Sequence, residues 1–139
     1  MAKKVRDAMT SQPRAAEPNL SLVEAARLMK EEDVGSLPVV EGGRLVAMLT
    51  DRDIVIRAVA EARSPDSTTV DEVATRDVVT AQPDDDLDEA LMLMARRQVR
   101  RLPIVEGERL VGILAQADIA QEATPEQTGE VLEEISRPS

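Results

Sequence analysis

The chain has 139 residues, with 17 Lys and Arg against 27 Asp and Glu and a formal net charge of -10. It contains no His, Cys, Phe, Tyr or Trp, which removes the commonest general base, thiol nucleophiles, disulfides, Cys- or His-based metal sites and aromatic stacking platforms. The acidic balance disfavours nucleic acids and anionic membranes, and no apolar run is long enough for a bilayer span or a signal core, so a cytoplasmic protein with no nucleic-acid or membrane partner is expected.

In chain order, residues 14–17 (Arg-Ala-Ala-Glu) make a weak first strand by propensity. A helix is predicted from Ser21, with Glu24 three residues on as a capping-box partner and Leu22, Ala25, Ala26 and Met29 repeating at i, i+3, i+4, i+7 as one buried stripe. β-prone runs at 37–40 and 44–49 around Glu41-Gly42-Gly43 predict a hairpin, with Pro38 near a strand start. A second helix is expected from Asp51 or Arg52 to about Ala62, and 64–69 has the composition of a short exposed connector.

The same order then recurs. A better strand stands at 78–81, and a helix is expected from Asp86 with Glu89, carrying Leu87, Ala90, Leu91 and Met94. Runs at 102–105 and 109–114 predict another hairpin, followed by a helix over about 116–123. Sliding the chain by 65 residues aligns 5–57 with 70–122 without a gap, most clearly where Leu37-Pro38-Val39-Val40-Glu41-Gly42 meets Leu102-Pro103-Ile104-Val105-Glu106-Gly107. The expected organisation is repeat one at 1–63, a linker at 64–69, repeat two at 70–123 and a tail at 124–139 that could carry a polar helix.

The first hairpin ends in Thr50-Asp51-Arg52-Asp53, a hydroxyl and a carboxylate three residues apart at a helix start. One carboxylate can accept both hydroxyl protons of a ribose, and a Thr hydroxyl with helix N-terminal amides suits a phosphate. The same spacing is also that of a Thr N-cap with an acidic residue in the first turn. The second copy reads Ala115-Gln116-Ala117-Asp118, keeping the acid and losing the hydroxyl, so two equivalent sites are not expected. The acidic run at 84–86 with Asp88 and Glu89 reads as a solvated helix start, with no metal site expected, and Met29, Met48, Met92 and Met94 as core filler.

Leu-Pro-Val-Val, then Gly, then Leu-Val-x-x-Leu-Thr-Asp-Arg-Asp-Ile, duplicated over residues 5 to about 123, resembles the signature of cystathionine-beta-synthase (CBS) repeats. With 51–57 and Val99-Arg100-Arg101-Leu102-Pro103, the chain is similar to stand-alone two-repeat proteins of the actinobacterial hypoxic-response type, a stress-response setting. The resemblance implies an α+β fold built from α/β-type repeats. It is a tandem CBS pair, or Bateman module, with β-α-β-β-α repeats, pseudo-twofold symmetry, sheets packed together and helices outside.

It further implies a homodimer and adenosyl ligands such as AMP, ADP, ATP or S-adenosylmethionine, with no cofactor required. Thr50 and Asp53 are the carried-over phosphate and ribose positions, Arg100 and Arg101 the basic residues ahead of Leu-Pro that reach phosphate, and Asp118 marks a weaker second site. Ala15, Ala16 or Val39 could flank the base, although packing alone also accounts for them, and Arg100 and Arg101 could instead pair with surface acids. No nucleophile and base can be assembled, so the expectation is a non-enzymatic regulatory module signalling to an unknown protein effector in trans. The alternative is a dimeric interaction scaffold with no physiological small ligand.

Overall fold

The computed structural model describes residues 3–115. In chain order the elements are α1 (Val5–Ala8), β1 (Thr10–Ser11), α2 (Leu22–Glu32), β2 (Ser36–Glu41), β3 (Arg44–Thr50), α3 (Asp51–Ile54), a π-helical turn (Val55–Val59), α4 (Val70–Val73), α5 (Leu87–Arg97), β4 (Arg101–Glu106) and β5 (Arg109–Ala115). The fold is α+β. The helix expected over 116–123, the tail and Asp118 lie outside the described residues.

Both hairpins close as two-residue loops. Glu41 pairs with Arg44 around Gly42 and Gly43, whose φ values of 61 and 84 are open to glycine without a Cβ penalty. Glu106 likewise pairs with Arg109 around Gly107, at φ 62. Each hairpin carries the same bulge, between Val39 and Val40 in one and Ile104 and Val105 in the other. Both long helices end on a left-handed residue, Asp33 and Gln98, whose N–H groups bond back into the last turn.

The chain divides into two compact units that cross the repeats. One contains residues 14–78; the other, among the described residues, contains 3–13 with 79–115. In the first, the Val70 N–H donates to Leu20 O and Asp71 N–H to Pro18 O, so α4 docks beside the start of α2. Val70 and Val73 then complete a core with Ala16, Leu22, Ala25, Met29, Leu37, Val39 and Leu49. In the second, Val5 N–H donates to Asp85 O and Arg6 N–H to Pro83 O. Val5 and Ala8 join Leu87, Ala90, Leu91, Met94, Leu102, Ile104 and Leu114.

Several local expectations need correction. Residues 14–17 and 78–81 do not form strands; each supplies one parallel bridge, Ala16 to Val39 and Ala81 to Ile104. The reason is visible in the bonding: the Ala16 N–H donates to Pro38 O and the Val40 N–H to Ala16 O, flanking a proline that has no donor to extend the ladder. α1, β1 and α4 were not anticipated from the pattern, because four-residue helices and a two-residue strand carry too few apolar positions to show a period. Ser21 does cap α2, accepting from the Glu24 N–H at 3.2 Å, but Asp86 caps α5 without a side-chain bond. Ala26 is exposed where its counterpart Leu91 is buried. The connector is exposed over 64–67, but Thr68 is buried and its hydroxyl donates to Ser64 O at 2.6 Å.

The helix after the first hairpin starts at Asp51 as expected and widens into a π turn, with the Ala60 N–H donating to Val55 O and Arg63 N–H to Ala58 O. The acidic run is used locally: Arg6 and Lys4 pair with Asp84, whose carboxyl is held below its usual range chiefly by the Arg6 hydrogen bond. Glu72, which accepts from the Thr69 N–H, is lowered for the same kind of reason.

The repeats differ where Ala47 of β3 is matched by Gly112 of β5. Gly112 pairs with Ser11 of β1, and a Cβ there would lie 2.7 Å from Met9 Sδ and 3.0 Å from the backbone oxygen of Thr10. The Met9 side chain can swing away, but Thr10 is held in its strand pair with Ile113. Gly112→Ala is therefore expected to destabilise the protein by about 1–3 kcal/mol, the usual cost of overpacking, as a lowered urea midpoint.

Candidate functional site

The strand-to-helix motif is a complete capping box. Thr50 ends β3 in extended conformation; its Oγ1 accepts from the Asp53 N–H at 3.0 Å, and Asp53 Oδ2 accepts from the Thr50 N–H at 3.0 Å. Each bond satisfies a donor that the helix start leaves without an intrahelical partner. Asp51 extends the cap on its other side, its N–H donating to Gly35 O and its Oδ1 accepting from the Arg52 N–H. A Cβ on Gly35, at the position matched by Arg100 in the second repeat, would sit 3.1 Å from Asp51 Oδ2, the end of an exposed side chain that can turn aside.

Asp53 is buried, its side chain only 10% exposed. Oδ1, the oxygen the cap does not use, accepts from the Thr75 hydroxyl at 3.0 Å and lies 4.0 Å from Arg57 Nε. Arg57 in turn donates from Nη1 to Val73 O at 3.3 Å and to Ala74 O at 3.5 Å, capping the end of α4. The Thr75 backbone closes the arrangement through a two-way bridge with Met48 of β3, both bonds 2.9 Å. The carboxylate is thus held by three groups and buried with its charge accompanied by Arg57.

Of the residues singled out in the sequence, the structure brings Thr50 and Asp53 together directly. Ala16 and Val39 are buried at 2% and 1% exposure as bridge partners in the core, while Ala15 keeps partial exposure. Arg100 is exposed just before β4, and Arg101 opens that strand opposite Ala115, half-buried. Thr75 and Arg57 went unremarked as site residues. A signal for Thr75 existed: in the 65-residue register it falls on Thr10, an identity that lies outside both the helix and the hairpin.

A family model for the CBS domain matches residues 5–59 and again 70–124. The chain belongs to the CBS-domain family. CBS domains are in general regulatory rather than catalytic. This CBS pair is 46% identical over 133 residues to the CBS domain-containing protein YhcV of Bacillus subtilis, covering 95% of this chain and 94% of that one. It is 38% identical over 117 residues to hypoxic response protein 1 of Mycobacterium tuberculosis, covering 84% and 82%. A crystal structure of Hypoxic Response Protein I with two coordinated zinc ions superposes with a TM-score of 0.80 at 36% identity, over 88% of this chain and all of that one. The CBS domain pair of protein MJ0100, solved with 5'-methylthioadenosine and S-adenosyl-L-methionine, gives 0.76 at 31% identity, over 87% and 95%. With neither His nor Cys, this chain could offer zinc only oxygen ligands, and among the described residues no three acidic side chains converge on one point.

The capping role gives Asp53 a structural job beside any ligand. Asp53→Ala leaves the Thr50 N–H and the Thr75 hydroxyl without their acceptor, and the expected loss is about 2 kcal/mol of unfolding free energy, read from urea denaturation.

Proposed function

We propose that this CBS pair is a non-enzymatic regulatory module that binds an adenine nucleotide or another adenosyl ligand and signals to a protein partner in trans. The observation that carries the reading is the motif geometry: a carboxylate and a hydroxyl fixed against each other at the start of α3, as a ribose and its phosphate require. The adenosyl ligands of the MJ0100 pair, similar over most of both chains, support the ligand class. Thr50 and Asp53 are the proposed ribose and phosphate residues, with Arg100 and Arg101 supplying positive charge for phosphate, Ala15, Ala16 and Val39 as aliphatic neighbours of the base, and Asp118 marking a weaker second site. AMP, ADP, ATP and S-adenosylmethionine are the candidate ligands, and no cofactor is required.

The module is proposed to act as a cytoplasmic homodimer in a stress response of the hypoxic-response kind, with no nucleic-acid or membrane partner. Among the described residues no helix is long and apolar enough to cross a membrane. Val55, Ile56 and Val59 leave half or more of their surface exposed along the π turn, an apolar stripe that supports self-association. A second reading, an interaction scaffold without a small ligand, is favoured by one feature: both oxygens of Asp53 already accept internal hydrogen bonds.

Isothermal titration with AMP, ADP, ATP, NADH and S-adenosylmethionine decides between the two. Saturable binding that weakens at least tenfold in Arg100→Ala/Arg101→Ala, a pair remote from the capping box in sequence, is the expected result. Absence of heat with every ligand, in a protein that melts cooperatively, puts the scaffold reading first. For the oligomer, Val59→Glu is expected to convert a dimer to a monomer in light scattering; a variant as dimeric as the parent removes the π-turn stripe from the interface.

A further inference from the structure

We propose that Thr75 is the positioning residue of the ligand site: its hydroxyl aims the Asp53 carboxylate at a vicinal diol. This rests on the nucleotide reading above and adds to it a residue from the sequence between the two hairpins. The capping box by itself fixes only Oδ2, through the Thr50 N–H at 3.0 Å. Rotation of the carboxylate about that one bond would carry Oδ1 through a range of positions. The Thr75 hydroxyl, 3.0 Å from Oδ1, removes that freedom, and Arg57 Nε lies 4.0 Å from the same oxygen.

Two donors from a ribose need both oxygens at once. A carboxylate oxygen has two lone pairs, and each oxygen of Asp53 spends one on its internal donor, so one acceptor position per oxygen remains for the 2'- and 3'-hydroxyls. With the carboxylate already oriented, the diol meets a prepared acceptor pair and the ordering cost is met in folding. Thr75 is itself rigid: its backbone exchanges two 2.9 Å hydrogen bonds with Met48, and the segment before it is held by Arg57 on the Val73 and Ala74 carbonyls. The bond from Thr75 to Asp53 thereby links diol occupancy to residues 73–75.

The test compares AMP with 2',3'-dideoxy-AMP by isothermal titration on the whole protein, in the parent, Thr75→Val and Thr75→Ser. Valine keeps the β-branched shape and removes the donor; serine keeps the donor. The expected pattern is AMP binding weakened about fivefold by Thr75→Val, the worth of one ordinary hydrogen bond, with dideoxy-AMP unchanged and Thr75→Ser within about twofold of the parent. Equal weakening of both ligands overturns the proposal, since it means a direct contact elsewhere on the nucleotide or a general disturbance of the site. So does an AMP affinity that Thr75→Val leaves untouched, or a parent protein that binds the two ligands alike. A parent that binds neither AMP nor dideoxy-AMP rejects the nucleotide reading itself, and this proposal with it. AMP binding and melting temperature lowered as much in Thr75→Ser as in Thr75→Val also overturn it, since the hydroxyl then counts for nothing beyond the packing of the side chain.

Discussion

Each core of this protein is closed by a short helix that comes from the far side of the sequence. Val5 and Ala8 sit among the side chains of α5, β4 and β5, while Val70 and Val73 sit among those of α2, β2 and β3. A hairpin and one amphipathic helix bury too little apolar surface to offset the entropy of ordering themselves, and the three borrowed valines, all fully buried, supply part of the difference. The backbone bonds that seat the two short helices repeat at the 65-residue spacing: Val5 on Asp85 and Arg6 on Pro83 in one unit, Val70 on Leu20 and Asp71 on Pro18 in the other. Neither sequence repeat can be removed without opening both cores.

That constraint also places the site. Seating α4 beside α2 brings Thr75 to β3, where it pairs with Met48, three residues before Asp51 and five before Asp53 in the chain. The core contact of Val73 and the polar contact of Thr75 on Asp53 are therefore consecutive consequences of one docking event. A buried carboxylate is costly unless its oxygens are paired. Here the pairing is supplied by a cap, a hydroxyl and a neighbouring guanidinium, and the described residues contain no buried side-chain polar atom without a partner.

The two repeats share their scaffold and differ in chemistry. Bulge, hairpin loop and left-handed helix end recur at matched positions, but Thr50 is answered by Ala115, Gly35 by Arg100 and Ala47 by Gly112. The glycine at 112 has a local cause in the close approach of β1. Duplication gave the frame, and substitutions at a few contact positions made the halves unlike.

The repeat, the two long helices, both hairpins and the Thr50–Asp53 motif were legible in the sequence because each is a local pattern: an apolar period, a glycine turn, a three-residue spacing. The short helices α1 and α4 were not, since four residues cannot display a period and their stability comes from the core that receives them. The segments around Ala16 and Ala81 looked like strands of differing quality, yet the proline opposite each restricts both to a single bridge. Asp53 as a candidate was a matter of spacing. That its carboxylate is held by Thr75, twenty-two residues away, with Arg57 alongside, was decided by tertiary packing alone, because nothing local says which hydroxyl a buried oxygen will meet.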